Sequence, residues 1–366
     1  MFTLIKNVEC FCPEYRGIKD IFIVKDVIYK ISDAGEFNDF PKPVNVYECK
    51  GLKAFPGIID GHVHIIGGGG EEGPRSRINE ISAEEIFSCG VTTTVGLLGA
   101  DNRTKSLFSL YAKARALEEQ GISTYIYSGS YEVPLITFTG NLTNDILLID
   151  KVIGAGEIAV SDRRSSYPDV KAMLDISSQA YIGGLLSGKA GLVHLHMGDG
   201  APGLSLLEKL LAESEFTKDM FLPTHINRSE KLFGEGINYA LAGGNIDLTS
   251  GEKEGLAVPD AVLSLIKKEV DMRNVTVSSD ANASTCGCGI SRIKSLFEDI
   301  RECITGKHIN PSSAFSLVTK NPAERLKIYP KKGALTEGSD ADILITDENY
   351  EIIKVFSMGK LTVGNR

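Results

Sequence analysis

The chain has 366 residues, of which 42% are hydrophobic and 24% are charged, as in a folded globular protein with one large domain or one large and one small. The net charge of −9 and the lack of any basic run exclude nucleic acid as the main partner. No apolar run approaches the length that spans a bilayer, so we expect no membrane association.

The cysteines and the amino-terminal residues indicate the compartment. The seven cysteines include two C-x-C pairs, Cys10/Cys12 and Cys286/Cys288, which lack the spacing of a structural zinc site. We interpret them as reduced thiols in a reducing compartment. Lys6 follows the first apolar residues too closely for a signal peptide. Together these features predict a cytoplasmic protein.

Both ends of the chain carry short strand-like segments. Residues 21–30 mix β-branched and polar residues without helical spacing, and residues 341–346 and 352–357 do the same near the other end. Neither end is long enough to build a good core alone. We therefore expect a small β-sandwich domain made of residues 1–54 and 332–366.

The middle of the chain alternates apolar strand-like runs with helical segments. Eight strand-like runs are expected, at 54–64, 91–95, 123–127, 157–162, 191–196, 222–225, 245–249 and 275–280. The clearest helical segments, with apolar residues three and four apart, are 106–119, 204–214 and 261–269. Such alternation implies parallel strands with crossover helices. Residues 55–331 are therefore predicted to form a domain of the α/β class, a closed (β/α)8 TIM barrel.

The first barrel strand ends in two histidines. Because side chains alternate along a strand, His62 and His64 point to the same face and can bind one divalent metal. The alternative interpretation is a strand that carries two surface histidines. Four glycines, 67–70, follow and leave bare backbone that a ligand can approach closely, with Glu71 directly after them.

Other groups that bind metals or substrates are expected at the same rim, because functional groups of a barrel collect at the carboxyl ends of its strands. They are His62, His64, Tyr131, Glu157, Asp162, Arg164, His196, His225, Arg228, Asp280 and Ser284. Four of the six histidines lie in this set, which favours a metal centre over satisfied core or surface histidines. His194 is an alternative ligand on the fifth strand, and His308 has no assigned role.

With these residues in place, the chain resembles the amidohydrolase superfamily of metal-dependent hydrolases. The matching features are residues 56–64 (PGIIDGHVH), the histidines that end strands five and six, Asp280, residues 319–324 and residues 332–342. Within the superfamily it looks most like the bacterial isoaspartyl dipeptidases, or β-aspartyl peptidases. The stretches that carry this are 64–74 (HIIGGGGEEGP), 161–165 (SDRRS), 196–199 (HMGD), 222–228 (LPTHINR) and 278–280 (SSD).

One position departs from the family pattern. The family places on strand four a lysine whose carbamate bridges two metals, whereas this chain has Glu157 there, in a segment that is one residue longer. Glutamate supplies a carboxylate on a shorter stem, and a bulge at Ala155-Gly156 would bring the backbone closer to the metals. We expect no carbamylated lysine. The alternative is a site that has lost its bridge and holds one metal or none.

The resemblance implies two divalent metal ions, with zinc as the expected ion. The implied metal ligands are His62, His64, Glu157, His196, His225 and Asp280. Asp280 would also accept a proton from the attacking water and pass it to the leaving amine, and Tyr131 would donate to the carbonyl oxygen as it becomes anionic. The implied substrate-binding residues are Gly69, Glu71, Ala100, Tyr131, Arg164, Arg228 and Ser284.

The expected activity is hydrolysis of β-aspartyl dipeptides by a metal-activated water, in a protein that assembles as a homo-oligomer. Glu71 would pair with the substrate ammonium, and the arginines would hold its carboxylates. Two alternatives remain. One is another amidohydrolase activity, such as cyclic-amide hydrolysis or deacetylation. The other is a non-catalytic homologue with a structural or interaction role, which the exchange of lysine for Glu157 permits.

Overall fold

The computed structural model describes residues 2–37, 44–252, 254–283 and 292–365. Its strands are β1 (Phe2–Phe11), β2 (Tyr15–Val24), β3 (Val27–Asp33), β4 (Val44–Glu48), β5 (Lys53–Pro56), β6 (Ile58–Val63), β7 (Val91–Gly96), β8 (Ser123–Ser128), β9 (Val152–Val160), β10 (Leu192–Met197), β11 (Phe221–Thr224), β12 (Ile246–Thr249), β13 (Val275–Ser278), β14 (Ile343–Thr346), β15 (Ile352–Ser357) and β16 (Lys360–Val363).

The helices lie mostly between the central strands. They are α1 (Ala83–Ser88), α2 (Leu107–Glu119), α3 (Leu142–Leu148), α4 (Val170–Ser187), α5 (Ser205–Ala212), α6 (Glu230–Leu241), α7 (Val258–Lys267), α8 (Lys294–Thr305), α9 (Pro311–Ser316) and α10 (Lys320–Arg325). Among the described residues, no helix has both the length and the apolarity that crossing a bilayer requires.

Strands from both chain ends form one mixed sheet of eight strands. Its order is β16-β15-β14-β5-β1-β2-β3, with β4 paired to β1 in parallel. The buried side chains of Ile21, Ile343 and Phe356 belong to its core. Cys10, Cys12, Cys49, Cys89 and Cys303 are buried and free, whereas Cys286 and Cys288 lie outside the described residues.

The central strands give a parallel, TIM-barrel-like arrangement. Six of them form a sheet in the order β11-β10-β9-β8-β7-β6, and β12 pairs in parallel with β13. Asp247 of β12 links the two sheets, because it accepts hydrogen bonds from Thr224 of β11 and Ser278 of β13, each at 2.6 Å. Inside the arrangement, Ile59 and Leu222 pack with other apolar side chains in a separate cluster.

The end of β13 is tied directly to β6. The backbone N–H of Asp280 donates to the carbonyl of His62 at 3.1 Å, and that of His64 donates to the carbonyl of Ala281 at 2.9 Å. Asp60, which is fully buried, accepts hydrogen bonds from the backbone N–H groups of Ser279 at 3.1 Å and His62 at 3.3 Å. These bonds fix Asp280 beside the two histidines of β6.

Candidate active site

Six side chains that can bind a metal meet at the carboxyl ends of the parallel strands. They are His62 and His64 at the end of β6, Glu157 in β9, His196 in β10, His225 after β11 and Asp280 after β13. Five are buried, and Asp280 is partly buried. His225 and Asp280 adopt left-handed backbone conformations, with φ of 62° and 50°, which are uncommon for non-glycine residues.

His62, His64 and Asp280 form the first group. The Oδ1 atom of Asp280 lies 3.1 Å from Nε2 of His62 and 3.2 Å from Nε2 of His64. The two histidines share one face because a strand alternates its side chains, and the backbone bonds to β13 bring the aspartate to that face. The three atoms lie close enough together to hold a single metal ion.

Glu157 lies among the four histidines that are candidate metal ligands. Its Oε2 lies 3.0 Å from Nδ1 of His196, 3.5 Å from Nε2 of His62 and 3.7 Å from Nε2 of His225. Its other oxygen, Oε1, lies 3.3 Å from Nε2 of His64. A carboxylate in this position can contact ions held on either side of it.

A β-bulge positions Glu157. Along the β9/β10 pairing, Ala155 is opposite Val193 and Ile158 is opposite Leu195, so β9 has one more residue than its partner between these points. The bulge is where the sequence predicted it. Gly156 fits there because a Cβ on it would lie only 2.8 Å from the Cβ of His194. The extra residue turns Glu157 into the site.

Several ligand atoms of this cluster lack hydrogen-bond partners among the described residues. They are Nε2 of His62, Nε2 of His64, Oε1 of Glu157 and Oδ1 of Asp280. Buried polar atoms are nearly always satisfied, so a converging set without partners is typical of a cation site. Imidazole nitrogens and carboxylate oxygens are ligands that suit zinc and similar divalent metals. The residues therefore fit the expected metal centre.

The cluster also keeps its carboxylates ionised. Burial would raise the pKa of Glu157, but the surrounding histidines, His62 first, lower it well below its usual value. Burial likewise opposes ionisation of Asp280, yet the charge of His62 holds its pKa well below normal. Burial and the charge of Arg228 lower the pKa of His225 well below its usual value, which favours the neutral form that binds metals.

A second layer of polar contacts surrounds His196. The hydroxyl of Tyr131 lies 2.8 Å from Nδ1 of His196, and Oδ2 of Asp162 lies 3.1 Å from its Nε2. Arg164 donates to both oxygens of Asp162, and its Nη1 donates to Oε1 of Glu71 at 2.9 Å. The guanidinium of Arg164 is thus already shared between two carboxylates.

Arg228 has donors to spare. Its Nη1 donates to the carbonyl of Met197 at 2.8 Å and lies 3.1 Å from Nε2 of His196. Within the described ranges, its Nε and Nη2 form no hydrogen bond. Arg228 lines the same cleft as His64, His196 and Asp280 and can therefore present a free guanidinium edge to a substrate carboxylate.

Three of the candidate metal ligands, His64, His196 and Asp280, line a cleft of about 960 Å³. Gly69, Glu71, Ala100 and Tyr131 line it, as do Arg164, Arg228 and Arg292, whereas Ser284 lies outside the described residues. The glycine-rich loop packs against the segment after β13, where a Cβ on Gly68 would lie 2.1 Å from the carbonyl oxygen of Ala283. The loop can pass this close to the segment after β13 only because its glycines lack side chains.

The structure also settles which residues lie behind the ligands. His194 is not at the carboxylate cluster itself, since its Nε2 lies 2.9 Å from the outer nitrogen, Nδ1, of His62. Thr249 contacts Nδ1 of His225 at 2.6 Å. Sequence reasoning assigned no role to Asp60 or Thr249. Asp60 could have been suspected because it is a charged residue in an otherwise apolar strand, directly ahead of the histidines. Nothing in the sequence marks Thr249.

Lys151 is the lysine nearest to Glu157 along β9, but it lies at the opposite end of the strand. Its buried Nζ donates to Oε1 of Glu118 at 2.6 Å and to the carbonyl of Thr124 at 3.1 Å. These bonds hold it away from the histidines. The side chain of β9 that lies among the histidines is therefore that of Glu157 and not that of Lys151.

Comparisons with known proteins agree with this geometry. A model of the amidohydrolase family matches residues 190–362. The β-aspartyl dipeptidase of Fervidobacterium islandicum AW-1 is 39% identical over 100% of this chain and 97% of its own, with a TM-score of 0.94. A structure of that enzyme with a β-Asp-Leu dipeptide is 38% identical over 100% of this chain and 96% of its own, with a TM-score of 0.93.

A more distant relative is the imidazolonepropionase of Colwellia psychrerythraea, which is 24% identical over 90% of this chain and 86% of that protein. The similarity to the dipeptidase extends over the whole chain. This chain belongs to the amidohydrolase superfamily and, within it, is similar to the β-aspartyl dipeptidases.

Proposed function

We propose that the protein hydrolyses β-aspartyl dipeptides with a metal-activated water. The observation that carries the proposal is a cleft with one metal-binding cluster and fixed charges of both signs beside it, in a chain 39% identical to a β-aspartyl dipeptidase. A β-aspartyl dipeptide carries one ammonium and two carboxylates, so it needs both signs. A neutral cyclic amide needs neither.

The proposed chemistry divides among a few side chains. Bound divalent ions would lower the pKa of the attacking water and polarise the scissile carbonyl. Asp280, held ionised beside His62 and His64, would accept the proton of that water and deliver it to the leaving amine. The hydroxyl of Tyr131, which is buried near His196, would donate to the carbonyl oxygen as negative charge develops on it.

Charged residues of the cleft would orient the substrate. Glu71 would pair with the ammonium, and its contact with Arg164 holds it in place at the cleft. Arg228, with its unused donors, would hold a carboxylate, with Arg164 adding positive charge nearby. Gly69 and Ala100, which also line the cleft, would contact the substrate, and the family resemblance implies Ser284 as a further contact.

We further propose that the centre holds two divalent ions, with zinc as the physiological ion. His62, His64 and Asp280 would bind one, His196 and His225 the other, and Glu157 would bridge them without any carbamylated lysine. The contacts of Glu157 with all four histidines support this assignment. A bridge encoded in the sequence needs no carbon dioxide to form.

The finer domain description is also a proposal. The parallel strands would close into a (β/α)8 barrel over residues 55–331, supported by the bonds from β13 to β6 and by the contacts of Asp247 with Thr224 and Ser278. The mixed sheet would form a β-sandwich from residues 1–54 and 332–366. Its strands come from both chain ends, which supports that division.

We propose that a second copy of the chain covers an apolar surface on α3 and α4. The surface consists of Leu147, Leu148, Tyr181, Ile182, Leu185 and Leu186, each between 38% and 69% exposed. Residues 177–187 of α4 carry no charge, so two such surfaces can pack together without burying a charged group. Contiguous exposed apolar patches of this kind mark interaction sites, and self-association by a two-fold axis is the commonest arrangement.

The function is tested by metal analysis coupled to hydrolysis of β-Asp-Leu. Apo-protein reconstituted with zinc in degassed buffer should bind about two ions and regain the same activity as in bicarbonate-supplemented buffer. A clear bicarbonate requirement would show that a lysine forms the bridge and that Glu157 does not. If a neutral cyclic amide were the better substrate, the dipeptidase proposal would be wrong and the cyclic-amide alternative would replace it.

A further inference from the structure

His194 lies directly behind the metal cluster. It is buried in β10, two residues before His196, and its Nε2 lies 2.9 Å from Nδ1 of His62. Its ring stacks on Tyr127 with centroids 5.0 Å apart and an interplanar angle of 12°. The stack and the strand fix the ring, so the contact with His62 does not depend on a mobile side chain.

The contact between the two imidazoles has only two possible arrangements when both are neutral, because one nitrogen must donate and the other accept. The Nε2 of His62 faces Glu157 and Asp280 at 3.5 and 3.1 Å. A histidine nitrogen that binds a metal carries no proton. The proton of His62 must then sit on Nδ1 and be donated to His194.

The opposite arrangement would disable the ligand. If His194 donated from Nε2, Nδ1 of His62 would accept, and the proton of a neutral His62 would sit on Nε2, the nitrogen that would bind the metal. The tautomer of His194 therefore decides which nitrogen of His62 is free. His194 must carry its own proton on Nδ1.

We infer that His194 is a positioning residue that holds His62 in its metal-binding tautomer and orientation. Outer partners of metal-binding histidines are usually carboxylates, carbonyls or water, and they raise metal affinity by fixing the ring. His194 fills this role with a neutral acceptor. The same residue lines a cavity of about 10 Å³ with Tyr127 and Asp247, which is room for about one water on the side away from the metals.

The inference rests on the proposed metal centre but not on the proposed substrate. The test compares His194→Leu, which removes the acceptor, with His194→Gln, whose amide oxygen can take the place of Nε2. His308→Leu serves as the control, because His308 is exposed and far from this cluster in sequence. Zinc affinity is measured by competition with a chelator, and the visible spectrum of the cobalt-substituted protein reports ligand geometry.

We expect His194→Leu to lose about 10- to 100-fold in affinity for the ion at His62, as for other outer partners of metal ligands. His194→Gln should stay within about threefold of the unsubstituted protein, with its cobalt spectrum retained. Equal affinities and spectra for the leucine variant and the unsubstituted protein would overturn the inference. So would an equal loss in both variants when both are folded. Failure of the unsubstituted protein to bind metal would instead refute the proposed function.

A measurement on the unsubstituted protein decides the matter if the leucine variant does not fold. With only six histidines in the chain, ¹⁵N-histidine labelling gives a simple spectrum of ring nitrogens, and the His194→Gln spectrum identifies the signals of His194. In the zinc-loaded protein, the inference requires a neutral His194 that is protonated at Nδ1. A proton on Nε2 would contradict it.

Discussion

Arg228→Lys tests how the cleft recognises a carboxylate. In the structure, one end of the guanidinium contacts the carbonyl of Met197 and the ring of His196, and the rest of it is free to bind. Lysine keeps the positive charge but cannot form the paired hydrogen bonds of a planar guanidinium. We therefore expect the variant to retain metal and to lose one strong hydrogen bond to the substrate.

The size of the loss follows from that one bond. A hydrogen bond to a charged group contributes about 1.5–3 kcal/mol. At about 1.4 kcal/mol per factor of ten, kcat/KM for β-Asp-Leu should fall by about 10- to 140-fold. A larger loss would indicate that the substitution also disturbs His196, which the metal content of the purified variant would reveal.

The assay uses three substrates to find the carboxylate concerned. They are β-Asp-Leu, the same peptide with the leucine carboxylate converted to an amide, and the same peptide with the aspartyl α-carboxylate converted to an amide. One of the two amides should lose its sensitivity to Arg228→Lys, which identifies the group that Arg228 holds. Arg164→Lys is the control, since Arg164 is already bonded to Asp162 and Glu71, and it should slow all three substrates alike.

Two results would refute the reasoning. If Arg228→Lys lowered kcat/KM for both amides as much as for β-Asp-Leu, Arg228 would not bind a substrate carboxylate. If the variant hydrolysed β-Asp-Leu within about twofold of the unsubstituted protein, the hydrogen bond assumed here would contribute less than about 0.5 kcal/mol. Either outcome would leave Arg164, Arg292 or another cation that lines the cleft as the carboxylate partner.

Four further predictions concern single side chains. Asp280→Asn should keep most of its metal but lose at least about 100-fold in kcat, and turnover within a few-fold of normal would remove Asp280 from proton transfer. Glu71→Gln should raise KM for β-Asp-Leu without loss of metal, as measured by steady-state kinetics and metal analysis. Glu157→Ala should lose the second ion in a metal titration, because nothing then screens two nearby cations. Leu185→Glu should shift sedimentation towards a smaller species, whereas Phe108→Glu, at an exposed site on α2, should not.

The sequence predicted the strand ends well because the chemistry there is local. When a histidine or an aspartate directly follows an apolar run, its position can be predicted from two rules. Side chains alternate along a strand, and the carboxyl ends of parallel strands meet at one edge. His62, His64 and Asp280 therefore meet as expected. The bulge at Glu157 was also predictable, since an extra residue with a glycine in a strand has few other outcomes.

Helix bounds were less predictable. The segment expected at 261–269 is α7, Val258–Lys267, because Pro259 favours the first turn and starts the helix earlier. The longest helix, α4, was not among the clearest predictions. Its apolar residues lie on both the buried and the exposed face, and Gly183 and Gly184 interrupt the apolar pattern where the helix packs closely against Ile146 and Gly191. That pattern obscures the spacing on which the prediction depends.

Contacts between strands were the least predictable part of the site. Sequence spacing places His194 on the same face as His196 but does not show that it reaches His62, which is 132 positions away in the chain. Likewise, Asp162 was recognised near its strand end, yet its contact with His196 depends on how β9 and β10 align. A bulge shifts that alignment by one residue, so the partners could be known only from the structure.

Glu157, the bulge and His194 are best understood together. A carbamylated lysine reaches two metals from a regular strand because its side chain is long, whereas a glutamate must start closer. The extra residue of β9 lies next to His194, where even a methyl group on Gly156 would collide with the neighbouring side chain. Gly156 thus serves two requirements at once, since it allows the bulge and leaves His194 in place against His62. On this reasoning, replacing Glu157 by lysine would be insufficient to restore a carbamate bridge, because a longer side chain at this bulge would overshoot the histidines that the shorter glutamate already reaches.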